Sequence, residues 1–116
     1  MKGSGVAARL ASGIWVAAYL ARLRIAAIPA YVTARGDAAA GAVIVKLATL
    51  DRRARAWQRI TDLGTGGRSW DVLTEGDEAA VDAVIARARS RDRDLWVIEV
   101  EDRAGRTLLD EDGLSD

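Results

Sequence analysis

The stretch that most limits what this chain can fold into is Leu95-Trp96-Val97-Ile98-Glu99-Val100, which runs on through Glu101 and Asp102 to a turn at Ala104-Gly105. Glu99 is its one polar residue before Glu101, so the first half predicts a strand in the middle of a sheet. Farther on, alternation sets Glu99 and Glu101 on one face and Ile98 and Val100 on the other. Such a strand needs others beside it, and the rest of the chain has to supply them.

Four upstream stretches meet that need. Ala30–Arg35 alternates Tyr31 and Thr33 against Val32, and Gly36-Asp37 turns the chain. Gly41–Leu50 holds Val43, Ile44, Val45 and Leu47 and reads as a well-buried strand. Arg53–Asp62 alternates Arg55, Trp57, Arg59 and Thr61 against Ala56, Gln58 and Ile60, and Arg68–Leu73 is a short strand with Trp70 and Val72. Links this short favour an antiparallel meander.

Two helices complete the pattern. Ser12 stands where an N-cap would, ahead of a helix over Gly13–Ala27 that Pro29 ends. Ile14, Ala18, Ala21 and Ile25 form one stripe of that helix, and Trp15, Tyr19 and Leu23 form the next. So broad an apolar surface predicts burial against the sheet and, in part, against a partner. Thr74-Glu75-Gly76-Asp77 resembles a capping box before a second helix to Ser90, with Val81, Val84, Ile85 and Ala88 at helical spacing. The expected architecture is a two-layer α+β domain of about five mostly antiparallel strands, with both helices packed on one face. At 116 residues there is room for one domain. Residues 1–8 are expected to be a flexible start and 110–116 a loose acidic tail.

Composition narrows the chemistry. The chain has no Cys and no His, which removes thiolate catalysis, the Ser-His-Asp triad, disulfides and ordinary zinc sites. Its 17 basic and 17 acidic residues cancel, against a global footprint for nucleic acid or an anionic membrane. The apolar run Gly13–Ala21 is 9 residues long, well short of the roughly 20 that span a bilayer. A cytoplasmic protein is expected.

Three stretches taken together resemble a known family. They are Ser12-Gly13-Ile14-Trp15-Val16, then Arg35-Gly36-Asp37 with Ala40-Gly41-Ala42-Val43, and Asp94-Leu95-Trp96-Val97-Ile98-Glu99-Val100-Glu101-Asp102. In this order and spacing the chain is similar, from about Arg9 to Arg106, to the short bacterial proteins of domain of unknown function 1491. The resemblance implies a small bacterial domain and supplies no activity, cofactor or catalytic residue.

Several constellations invite a functional reading. Gly64-Thr65-Gly66-Gly67-Arg68-Ser69 has glycines as a phosphate-binding loop does, but Asp62 stands where that motif needs its first Gly, and a strand follows where a helix is required. A hairpin loop accounts for it. Asp37 between Gly36 and Gly41, with Glu99 and Glu101, could hold Mg²⁺ or supply an acid and a base. The plainer readings are a turn cap for Asp37 and a cross-strand ladder of Glu99 and Glu101 with Arg55 and Arg59. Arg55-x-Trp57-x-Arg59 interleaves charge and an aromatic as single-strand binders do, although Trp57 packed under the first helix explains it without a ligand. The leading expectation is a non-enzymatic interaction or binding module, without a cofactor. Ile14, Trp15 and Tyr19 would form its interface with a second copy or a protein partner. A carboxylate-based Mg²⁺ enzyme is the alternative and a weak nucleic-acid binder the next.

Overall fold

The computed structural model describes residues 10–61, 64–65 and 67–115, so the expected flexible start at residues 1–8 lies outside the described residues. In chain order the elements are α1 (Ser12–Ile25), β1 (Ala30–Ala34), β2 (Val43–Ala48), β3 (Arg53–Thr61), β4 (Arg68–Asp77), α2 (Glu78–Arg91) and β5 (Trp96–Glu101). They make an α+β fold around one five-stranded sheet of order β1-β5-β2-β3-β4. Strands β2, β3 and β4 form the antiparallel meander that their short links favour. The first strand departs from it: β5 lies between β1 and β2, antiparallel to β1 and parallel to β2. The order follows from side chains. Leu95–Ile98 is apolar toward both faces and takes an interior place, whereas Tyr31, Val32 and Thr33 of β1 are solvent-exposed at an edge.

The helices cover opposite faces, which corrects the expected two-layer arrangement to three layers. Val43, Val45, Leu47, Trp96, Ile98 and Val100 face α1, where they meet Trp15, Val16, Tyr19 and Leu23. Ile44, Ala54, Ala56, Leu95 and Val97 face α2 and its Val81 and Ile85. The cause lies in β2, buried at all 6 of its positions. A strand apolar on both faces needs cover on both.

Local details also differ from the sequence expectation. Strand β4 runs through Asp77, so Thr74-Glu75-Gly76-Asp77 is extended chain rather than a capping box, and α2 starts with no side-chain cap. Pairing with β3 in register Arg55↔Glu75 holds it extended. Helix α1 stops before Pro29: Ala27 takes a left-handed conformation (φ 60°), and Ile28 N–H closes back onto the Leu23 carbonyl at 2.9 Å. The C-terminal stretch is not loose up to Ser115. Leu109 and Leu114 are buried in the α1-side core, and Trp70 Nε1 donates to the Leu114 carbonyl at 3.0 Å. Arg22 of α1 pairs with the Glu111 carboxylate at 2.8 Å and clasps this stretch to the helix. Among the described residues no helix is long and apolar enough to cross a membrane.

Candidate functional site

The connection between β1 and β2 ties three separate parts of the chain together. Asp37 N–H donates to the Asp94 carbonyl at 2.9 Å, and Asp37's own carbonyl accepts from Trp96 Nε1 at 2.8 Å. Ser12 Oγ donates to the Gly41 carbonyl at 2.6 Å, while Ser12 and Gly13 N–H reach the carbonyls of Ala39 and Ala38. Ser12 is thus the first residue of α1 rather than its cap, and its hydroxyl joins helix to loop. Glycine is required twice here. A Cβ at Gly36 or at Gly41 would run into the Asp94 carbonyl oxygen, and at Gly36 into the Trp96 ring as well. Arg35 lies over that ring at 5.5 Å. The Asp37 carboxylate accepts from Ala39 and Ala40 N–H at 3.2 and 2.8 Å, which is the work of a turn cap.

Glu99 and Glu101 share the α2-side face of β5, as alternation requires, but the ladder with Arg55 and Arg59 does not form. Strand β2 separates β5 from β3, and the two arginines point to the α1 side. Glu99 instead meets Lys46 at 3.3 Å, and Glu101 lies 3.5 Å from the Tyr31 hydroxyl. Lys46 is the centre of this region. Its side chain is 5% exposed, and its ammonium also contacts Glu78 at 2.8 Å and Asp82 at 2.7 Å. Burial alone pulls a lysine pKa down, but here hydrogen bonds to Asp82 and Glu78 and the field of Glu99 outweigh it and raise it. The carboxylates therefore surround a fixed cation that fastens α2 to the sheet, the position a metal would otherwise need. Asp37 belongs to a different cluster, and among the described residues no group of three or more acidic residues has the geometry of a metal site.

The arginine face has partners within the protein. Arg55 pairs with Glu75 across β3 and β4 at 2.6 Å and lies over Trp57 at 5.7 Å. Arg59 sits between Trp15 at 5.3 Å and Trp70 at 5.9 Å. Trp57 is half-buried against the α1-side core. Trp57 also lines an open groove that runs between Trp70 and residues 105–111. Stacking of a nucleobase would compete with these arginine–indole contacts, so the face is occupied by its own side chains.

The third candidate group divides. Trp15 and Tyr19, expected at an interface, are 2% and 0% exposed and form the heart of the core. Their rings stack at 4.9 Å, and Tyr19 donates to the Thr107 carbonyl at 2.8 Å while burial raises its phenol pKa. The cause is rotation about α1: the stripe of Trp15, Tyr19 and Leu23 points at the sheet, which leaves the Ile14, Ala18, Ala21 and Ile25 stripe outward. Ile14 is 59% and Ile25 85% exposed, and Ala17, Ala18 and Ala21 between them are exposed as well. Arg24 is exposed, and Arg22, the helix's other charge, is paired with Glu111.

Two contributions were not singled out by sequence reasoning. Lys46 carries a usable signal: it is one of only two lysines and stands inside the run Val43-Ile44-Val45-Lys46-Leu47, where a charge has to be paired. The Asp94 carbonyl carries none, because a backbone atom leaves no mark on residue type.

The comparisons agree with the geometry. The family described as "Protein of unknown function (DUF1491)" matches residues 10–110. The crystal structure of a DUF1491 family protein from Caulobacter crescentus CB15 superposes with a TM-score of 0.76 at 38% identity, over 88% of this chain and 94% of that one. An NMR structure of a DUF1491 family protein from the same organism gives 0.77 at 41% identity, with the same coverages of 88% and 94%. The solution structure of protein Atu0922 from A. tumefaciens gives 0.70 at 30% identity, over 80% of this chain and 86% of that one. No curated protein matches. The stretches that carried the resemblance, Ser12–Val16, the Arg35–Val43 loop and Asp94–Asp102, are the ones this fold knots together, and the chain belongs to the DUF1491 family.

Proposed function

We propose that the protein is an interaction module that works by docking another protein helix on the outer face of α1. One observation carries the reading: Ile14 and Ile25 stand 59% and 85% exposed at the two ends of an alanine-lined stripe. A surface helix of a monomer ordinarily turns polar residues outward, and this one turns Ile, Ala, Ala, Ala and Ile. Leaving that apolar area in water forfeits roughly 25 cal/mol per Å² that a partner would recover by covering it. The small residues let a second helix approach closely, and the isoleucines give it edges to lock against. The occupant that suits the stripe is therefore an apolar helix with small residues at its centre. The carboxylates and arginines support this reading indirectly, since their contacts lie within the fold.

The test places a photoreactive residue at Ala18, on the stripe, and in a separate variant at Arg103, an exposed turn residue remote in sequence from α1. After illumination in living cells, a discrete protein adduct is expected from position 18 and none from position 103. No adduct at 18, or equal labelling from both positions, overturns the reading.

A further inference from the structure

The outer stripe has large residues at its ends and small ones at its centre, Ile14 and Ile25 about Ala18 and Ala21. We infer that the occupant is a second copy of this chain, with α1 packed antiparallel on its counterpart about a two-fold axis. This rests on the reading of the stripe as a docking face.

Positions 14 and 25 share a midpoint with positions 18 and 21, between Tyr19 and Leu20. When one α1 is turned end for end over another about that midpoint, Ile14 meets the partner's Ile25 and Ala18 meets the partner's Ala21. Both contacts occur twice, as an isologous two-fold contact demands. Large residues then fall at the two ends and small ones at the centre, where the axes cross most closely.

Charge does not oppose this occupant. The chain carries 17 acidic and 17 basic residues, so two copies approach without net repulsion. No acidic residue lies on α1, and Arg22 is already paired with Glu111. The two-fold carries Arg24, near the C-terminal end of each helix, toward the N-terminal end of the other. There the loop bearing the exposed Asp37 is hydrogen-bonded to Ser12 and Gly13 through Ala39 and Ala38. A contact made by one 14-residue helix per subunit is modest, of the kind that weak, transient interfaces make. A dimer dissociating in the micromolar range or weaker is the expectation.

Sedimentation equilibrium on the full chain tests it, with Ile14→Glu, Ile25→Lys and the double variant Ile14→Glu/Ile25→Lys. Both residues are solvent-exposed, so melting temperatures serve as the control for folding. The wild type is expected to shift from monomer to dimer with concentration, and each single variant to weaken the dimer at least about tenfold. In the double variant the glutamate introduced at position 14 faces the lysine introduced at position 25 of the other copy, so dimerisation is expected to recover relative to either single variant. A wild type that stays monomeric up to millimolar concentration overturns self-association, while a photo-adduct of foreign mass at position 18 would still sustain the broader docking reading. Single variants that dimerise as the wild type does, or a double variant no better than the weaker single one, overturn the antiparallel register.

Discussion

Helix α1 shows two kinds of surface on one cylinder. Its inner side is tied to the fold at nearly every turn: Ser12 to Gly41, Trp15 stacked on Tyr19, Tyr19 to Thr107, Leu23 closing onto Ile28. Its outer side, Ile14, Ala17, Ala18, Ala21 and Ile25, is equally apolar and stands outside the core that the inner side builds. One side of the helix is spent on the fold and the other is left open to solvent. Residues that stand out in the sequence, such as the glycines, Asp37, Trp96 and Glu99, are absorbed by the architecture. The plain alanines and isoleucines of the outer stripe remain uncovered.

Substitutions can break this contrast from either side, and the largest effect belongs to the knot. Gly41→Ala drives a Cβ into the Asp94 carbonyl, whose position is fixed by its bond to Asp37 N–H. A loss of about 3 kcal/mol in unfolding free energy is expected by chemical denaturation. A loss below about 0.5 kcal/mol would mean that the loop is not rigidly docked.

The lysine hub comes next. Lys46→Met leaves Glu78, Asp82 and Glu99 without their shared cation, and partial exposure of the acids limits the cost to about 2 kcal/mol. The folded-state pKa of Lys46 is raised, so its contribution is fully present below the unfolded value of about 10.4 and is lost as pH climbs through the folded one. Denaturation curves should therefore separate wild type from variant at neutral pH and converge at strongly alkaline pH. A gap that persists unchanged there would show that the methionine variant fails through packing rather than charge.

The outer stripe lies at the other extreme. Ile25→Lys is expected to change monomer stability by no more than about 0.5 kcal/mol, because the side chain is 85% exposed. A thermal melt on dilute protein checks this, and a large loss would reveal intrachain packing of Ile25.

The same contrast explains what could be read in the sequence. Strand β5 was legible because an unbroken apolar run has few alternatives, and the interior place of Leu95–Val100 follows from it. The second covering layer is written in the same kind of run, in β2, where alternation is absent and both faces need cover. The rotation of α1 was not legible. Both its stripes are apolar, and the choice between them depends on Trp70, Arg59 and Thr107 arriving from distant parts of the chain. Nor could residue type reveal the partners of Glu99 or the burial of Leu114, since both depend on the order of strands in the sheet.

The outer side of α1 is the proposed contact surface, and the knotted motifs hold the fold together. Backbone amide NMR spectra recorded from micromolar to millimolar protein test it residue by residue. Concentration-dependent shifts centred on Ile14, Ala17, Ala18, Ala21 and Ile25, with Gly41 and Trp96 unmoved, are the predicted result. Shifts that gather instead at the Trp57–Trp70 groove would contradict it, and spectra that do not change would contradict self-association.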